Sequence, residues 1–264
     1  MMPRVATVGD NCIDRYAAPL AASTVGGNAV NVAVRLRELG IVSHYFGAVG
    51  DDAAGRRVLA ALDAAGVERS HARIADGHTA TTDLVVDASG ERAIGAEDFG
   101  ACRSYRVPPD DLDRLAAMAH VHIGWLADGG ELRRQLGKRG VSVSKDLAVN
   151  PGAEGLDIAF ASAGADRTQG EALIRQMLGE GARLAVVTLG AMGSMASDGR
   201  EVVGTDILPI DVVDTTGAGD SFIAGFIAAK VKGNPLQVCL EVARQAAAAT
   251  CTHIGGFRQV PMAL

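Results

Sequence analysis

The residues of this chain best suited to chemistry lie between Asp211 and Phe226. There Asp214-Thr215-Thr216 leads into Gly217-Ala218-Gly219, and Asp220 follows at once. Phe222, Ile223, Phe226, Ile227 and Val231 recur at helical spacing, which predicts a helix beginning near Gly219. A helix start leaves backbone N–H groups unpaired and carries partial positive charge, so it suits an anion such as a phosphate. Glycines there let the main chain approach the anion without a Cβ in the way. Gly217, Ala218 and Gly219 are therefore candidate donors to charge developing on a transferring phosphoryl group. A carboxylate in the first turn, beside a bound anion, needs a task of its own. For Asp220 that task is to take a proton from a hydroxyl attacking phosphorus.

A second polar cluster follows the first apolar run, Arg4 to Gly9. Asp10, Asn11 and Asp14 emerge where that run ends. In open α/β sheets ligands bind beyond the carboxyl ends of strands, where carboxylates can bond sugar hydroxyls. Gly26-Gly27 then opens a run that places Asn28, Asn31, Arg35 and Glu38 on one side of a helix ending near Gly40. Amides at the start of a buried helix can read hydroxyls or merely cap it. His120 and His122 share one face of a short strand, but no third metal ligand accompanies them, and no metal site is assigned. Trp125, just past that strand, can stack on a substrate or wall its pocket.

Asp214-Thr-Thr-Gly-Ala-Gly-Asp220 resembles the signature of the ribokinase, or pfkB-type, carbohydrate kinases, and the likeness runs over nearly the whole chain. The Gly26–Val34 stretch is similar to that family's other signature. The resemblance implies ATP-dependent phosphorylation of a primary hydroxyl, with Mg²⁺ arriving on the nucleotide. It implies Asp14, Gly27 and Asn31 as sugar-binding residues, followed by Asp10 and Asn28. It implies nucleotide contacts from Thr188, Gly190 and Gly193, from Gly219, and from the late helix with His253 and Gly255. In some relatives the positions of Asp214 and Thr216 supply a monovalent-cation site. Several short runs are similar to the family members that phosphorylate fructosamines at the 6-hydroxyl. Glu91, Arg92, Glu97, Asp98 and Arg103 would then face the amino-acid part of the substrate. Fructose, another sugar or a nucleoside is the alternative acceptor, and a non-catalytic sugar- or nucleotide-binding protein is the alternative class. Two departures stand out. The family's Asn-x-x-Glu element, associated with Mg²⁺ and phosphate, is Ser162-Ala163-Gly164-Ala165 here, with Asp166 one residue later. Asn150-Pro151 resembles another polar motif of the family, but Lys145-Asp146-Leu147-Ala148 beside it follows that motif poorly and suggests only a loop.

The elements that must position these residues are those of an α/β chain. Strand-like runs at Arg4–Gly9, Val42–Val49, Ala119–Gly124, Val141–Ser144, Leu156–Phe160 and Arg183–Leu189 alternate with helical segments. They predict a Rossmann-like three-layer α/β/α sandwich in a single domain, 1–264. The family resemblance implies a small, shortened β lid from about 13–25 and 77–105, where short strand-like runs flank Ala88-Ser89-Gly90 as a turn. Unpaired lid edges would suit a second copy of the chain, so a homodimer through the lid is an expectation. The 264 residues, 48% hydrophobic and 21% charged with net charge −6, give globular composition without a basic stripe for nucleic acid. No run of apolar residues reaches membrane-spanning length, and Met1–Arg4 leads directly into a strand, so a cytoplasmic protein is expected. The four cysteines lack metal or CxxC spacing and are expected as reduced thiols. No GxGxxG opens a helix after the first strand, which disfavours a dinucleotide enzyme, and no Walker-type GxxxxGK[ST] is present.

Overall fold

The computed structural model describes residues 2–86 and 92–264. The expected turn at Ala88-Ser89-Gly90, and Glu91, lie outside them. Strands β1 (Arg4–Val8), β2 (Cys12–Tyr16), β3 (Ala22–Gly26), β4 (Val42–Gly50), β5 (Glu68–Ala75), β6 (Thr81–Val86) and β7 (Arg92–Asp98) occupy the first part of the chain. β8 (His120–Ile123), β9 (Val143–Asp146), β10 (Ile158–Ser162), β11 (Ala185–Thr188), β12 (Ser194–Ser197), β13 (Val202–Thr205) and β14 (Met262–Ala263) follow. The helices are α1 (Asn28–Glu38), α2 (Ala53–Ala64), α3 (Pro109–Ala116), α4 (Gly129–Lys138), α5 (Arg167–Gly179), α6 (Ala218–Lys230) and α7 (Leu236–Thr250).

Nine strands form the main sheet in the order β13-β12-β11-β10-β9-β8-β1-β4-β5. It is parallel from β5 to β11 and ends in the antiparallel β12–β13 hairpin. Helices cover both faces, which explains why β10 and β11 are apolar on successive residues rather than alternating. Val5, Ile158, Phe160 and Val186 pack towards α1, α6 and α7. Ala6, Val8, Val121, Val143 and Val187 pack with Leu115 of α3, Leu132 and Leu136 of α4 and Ile174 of α5 on the opposite face. This is the expected α/β/α sandwich. Helices α6 and α7 cross closely, because a Cβ at Gly225 would stand only 2.7 Å from the Cα of Ala243.

A second sheet runs β14-β3-β2-β6-β7. It joins the segment after β1 to the segment around residue 81, as expected of a lid, and adds an unanticipated strand near the end of the chain. Its exposed apolar side chains include Val85, Ile94 and Met262.

Three parts of the fold differ from the sequence expectation. β5 is a polar edge strand, Glu-Arg-Ser-His-Ala-Arg-Ile-Ala, without apolar alternation. The β9 and β10 strands begin two residues later than their apolar runs suggest. α5 is capped by Asp166, whose side chain accepts the N–H of Gln169 at 2.9 Å. The residue closest to the missing family glutamate is therefore a helix cap. No helix among the described residues is long and apolar enough to cross a membrane, and all four cysteines are free.

Candidate active site

Glycine 27 begins α1 with φ 101°, a backbone state an L side chain rarely adopts, and its missing Cβ would lie 2.6 Å from the Cα of Asn11. The first N–H groups of α1 have no partner in their own helix. Asp10 supplies it: its carboxylate accepts from the N–H of Asn28 at 2.7 Å, of Ala29 at 3.3 Å and of Trp125 at 3.0 Å. The carboxylate expected to read sugar hydroxyls thus caps the helix that presents Asn28 and Asn31. Burial pushes the Asp10 carboxyl up to about 6 against those bonds, with the charge of Asp220 adding to the rise. Asn11 is wholly buried and donates to the Tyr45 hydroxyl and the Ala48 carbonyl, which fixes the chain between the two sheets.

With α1 fixed in this way, its two asparagines converge on one group. Asn28 Nδ2 donates to Asp220 Oδ1 and Asn31 Nδ2 donates to Asp220 Oδ2, both at 2.7 Å. Four residues separated by up to 210 positions in the chain, Asp10, Asn28, Asn31 and Asp220, therefore form one cluster. Asp14 lies on β2 with its carboxylate over Gly26, where a Cβ would fall 2.0 Å from Asp14 Oδ2, and it accepts from Cys12 Sγ at 3.1 Å. Trp125 stacks on Phe99, with ring centroids 3.9 Å apart and planes 18° from parallel, and so walls this side.

Asp220 is also the third residue of α6. Gly217 caps that helix in the left-handed conformation, φ 71°, and a Cβ on it would lie 2.4 Å from the Cα of Gly256. A Cβ on Gly219 would meet nothing within 4 Å. The space above Gly219 belongs to a cavity of about 580 Å³. Gly217, Ala218, Gly219, Asp220, Thr188, Gly190 and Gly193, drawn from two distant glycine turns, all line it. Of the three expected backbone donors, Ala218 is already engaged, its N–H closing a turn on the Thr215 carbonyl at 3.1 Å. Ala247, Ala248 and Cys251 around the end of α7 also line it, with Ile207, Leu208 and Val212. His253 stands outside that lining, with its ring against the Ile254 carbonyl. Asp214 is a clamp: its carboxylate accepts from the Tyr16 hydroxyl, the Thr216 N–H and the Gly255 N–H, each at 2.8 Å. That ties β2, the α6 turn and the turn after α7 together.

One residue escaped the sequence reading. Asp146 ends β9, lines the cavity, and accepts from Asn28 Nδ2 at 3.3 Å. Its place at the carboxyl end of a strand was the available signal, masked by a start to β9 two residues later than expected. Of the charged side chains expected to meet an amino-acid substituent, Asp98 is engaged by His78 at 2.8 Å, and Arg103 lies over the Phe99 ring at 5.9 Å.

A helix N-terminus opening on a cavity, with a half-buried carboxylate in its first turn, suits phosphoryl transfer without a Walker loop. A sequence profile of the pfkB family carbohydrate kinases matches residues 2–129 and 147–262. The chain belongs to that family. Its pfkB-type relatives include the fructoselysine 6-kinase of Escherichia coli, 32% identical over 97% of this chain and 100% of that one. The fructosamine kinase FrlD of Bacillus subtilis is 32% identical over 96% of this chain and 93% of the relative. Among solved structures, Arabidopsis thaliana ribokinase complexed with ribose and ATP has the same fold. Its TM-score is 0.84 at 24% identity, over 97% of this chain and 94% of that one. The protein is thus a ribokinase-like carbohydrate kinase, and the non-catalytic alternative falls away.

Proposed function

We propose that this kinase transfers the γ-phosphoryl group of ATP to the 6-hydroxyl of a fructosamine such as fructoselysine. The observation that carries the reaction is the convergence of Asn28 and Asn31 on Asp220 beside the glycine-lined start of α6. The acceptor rests on the two relatives named for that substrate class. In this reading the triphosphate lies along the cavity, with its terminal phosphate over Gly219 and the base towards Ala247, Ala248 and Cys251. The sugar lies on the opposite side of Asp220, between Asp14, Asn31 and Trp125. Asp220 accepts the hydroxyl proton, and the two amides hold its oxygens at a fixed distance from the start of the helix. First-turn N–H groups stabilise charge on the transferring phosphoryl group.

The cavity lining supports a divalent cation carried by the nucleotide. Arg244 is the only basic side chain among its described residues, while Asp146, Asp206 and Asp220 are acidic. A triphosphate there lacks neutralising charge from the chain, and Mg²⁺ supplies it when bound. Asp146 and Ser162, both in the cavity lining, would face it.

The acceptor is tested by kcat/KM for fructoselysine, fructose and a nucleoside on one preparation, with ³¹P and ¹³C NMR locating the new phosphate. Fructoselysine should be preferred by tens of fold at most, because exposed charge pairs with its amino-acid part each contribute no more than about 1 kcal/mol. A preference for free hexose or nucleoside removes the fructosamine assignment and leaves the kinase intact.

A further inference from the structure

On the face of the main sheet that packs against α1, α6 and α7, the flanking strands β1 and β10 present Val5, Ile158 and Phe160. The two strands between β1 and β10 do something else. β8 and β9 and the residue before β9 present His120, His122, Ser142 and Ser144, with His122 directly opposite Ser144 in the parallel register. His120, His122 and Ser144 are at most 1% exposed. Burying such groups costs stability unless each finds a partner. Here they partner one another in a single file. His120 Nδ1 is 2.9 Å from Ser142 Oγ, and His120 Nε2 is 2.8 Å from Ser144 Oγ. His122 Nδ1 is 2.9 Å from the same Ser144 Oγ, and His122 Nε2 is 3.2 Å from Asn28 Oδ1. Asn28 then donates to Asp220.

The last member sets the direction of all the others. A carboxylate only accepts, so the Asn28 amide must turn its NH₂ to Asp220 and to Asp146, leaving its oxygen to accept. His122 Nε2 must therefore carry the proton, and its Nδ1 must accept from the Ser144 hydroxyl. Ser144 Oγ in turn accepts from His120 Nε2–H, and His120 Nδ1 accepts from Ser142. Every donor points towards Asp220. Both rings must be neutral for this, and burial pushes both imidazoles down to about 3. The file begins at His120 and Ser142 in a separate cavity of about 530 Å³, which is lined by residues preceding β9, β10 and β11, at the end of the sheet away from Asp220. It does not conduct protons, because the Asn28 amide interrupts it and an amide passes no proton without losing its own. What it does is fix orientation.

The geometry points to His122 as a positioning residue for phosphoryl transfer: it holds the Asn28 amide that holds Asp220, and Ser144 and His120 hold His122 in turn. This rests on Asp220 accepting the hydroxyl proton. With His122 absent, the Asn28 oxygen loses its donor and the amide is free to rotate away from the carboxylate. Ser142 and Ser144 fall between the two segments matched by the family profile, so the file is read from this chain's own residues.

Two measurements test it. On the unaltered protein, ¹⁵N NMR of the histidine rings at neutral pH should show His120 and His122 neutral with the proton on Nε2. A proton on Nδ1 of His122 overturns the proposal. ADP release is then followed for His122→Leu, His122→Gln and Ser144→Ala with the sugar that gives the highest kcat/KM in the acceptor comparison. His122→Leu should lower kcat by roughly 10–100-fold while both KM values stay within about threefold, the signature of misplaced reacting groups. His122→Gln, which keeps a donor to Asn28, should recover most of that loss, and Ser144→Ala should fall between. An unchanged kcat in His122→Leu, or equal losses in the Leu and Gln variants, overturns the proposal. Should His122→Leu not fold, Ser144→Ala with the NMR decides: wild-type kcat there counts against the file. Asp220→Asn run alongside separates the two readings. If it keeps activity, the assignment of Asp220 fails. If it loses activity while His122→Leu does not, only the positioning role fails.

Discussion

Asp220 draws its geometry from two asparagines one helical turn apart on another element, so each carboxylate oxygen has an amide donor. Replacing it with asparagine leaves one oxygen and puts an NH₂ group against one of those amides. The lost bond costs about 1 kcal/mol. Removing a negative charge beside Asp10, whose carboxyl is already pushed up to about 6, offsets part of this. Asp220→Asn should therefore fold, bind ATP and sugar in calorimetry, and melt within about 4 °C of the parent. Its kcat should fall by roughly 10²–10⁴, the span for loss of a positioned base. Retention of more than about a tenth of the activity would remove Asp220 from the chemistry.

At the scale of elements, the two glycines at the start of α6 have opposite reasons for being there. Gly217 is at φ 71° with Gly256 pressed against its missing Cβ, so it serves the fold. Gly219 has open space over it, and that space is the cavity. Gly217→Ala should lower stability by about 1–3 kcal/mol through strain and a displaced Gly256 turn. Gly219→Ala should leave the melting temperature unchanged or raised, because alanine is the better helix former. It should still reduce kcat/KM for ATP by roughly tenfold or more, since the methyl would occupy the position proposed for the terminal phosphate. Thermal melts and ATP titrations on the pair separate the two roles, and equal loss of stability in both variants would refute the distinction.

Across the whole molecule, acid sensitivity should trace to the buried histidines. His120 and His122 are pushed down to about 3 by burial, while an unfolded chain holds them near 6.5. Between those values the unfolded state binds more protons, so stability is full above pH 6.5 and is lost as pH falls towards 3. At pH 5 each histidine should cost about 2 kcal/mol relative to neutral pH. Urea unfolding at pH 7.5 and pH 5 should show His122→Gln losing about 2 kcal/mol less than the parent over that interval. An identical loss in both would mean that the ring titrates normally in the fold.

Much of this was legible in the sequence because it depends on local physics. Gly217-Ala218-Gly219-Asp220 announces a helix start with a carboxylate in its first turn, and Gly26-Gly27 announces a close approach before a helix. The apolar runs gave the parallel sheet, since strands covered on both faces need little alternation. Which polar groups meet is a different matter, because it depends on elements distant in the chain. Asp10 was legible as a polar group at a strand end, whereas its capping of α1 exists only once Gly27 brings α1 over the end of β1. Asp146 looked like part of a loop and lines the cavity at the end of β9, because β9 begins later than its hydrophobicity suggests. His120 and His122 were visible as a pair on one strand face. That their file ends on Asp220 was decided by the register of β8 with β9 and by the packing of α1 across them, neither of which any local pattern encodes.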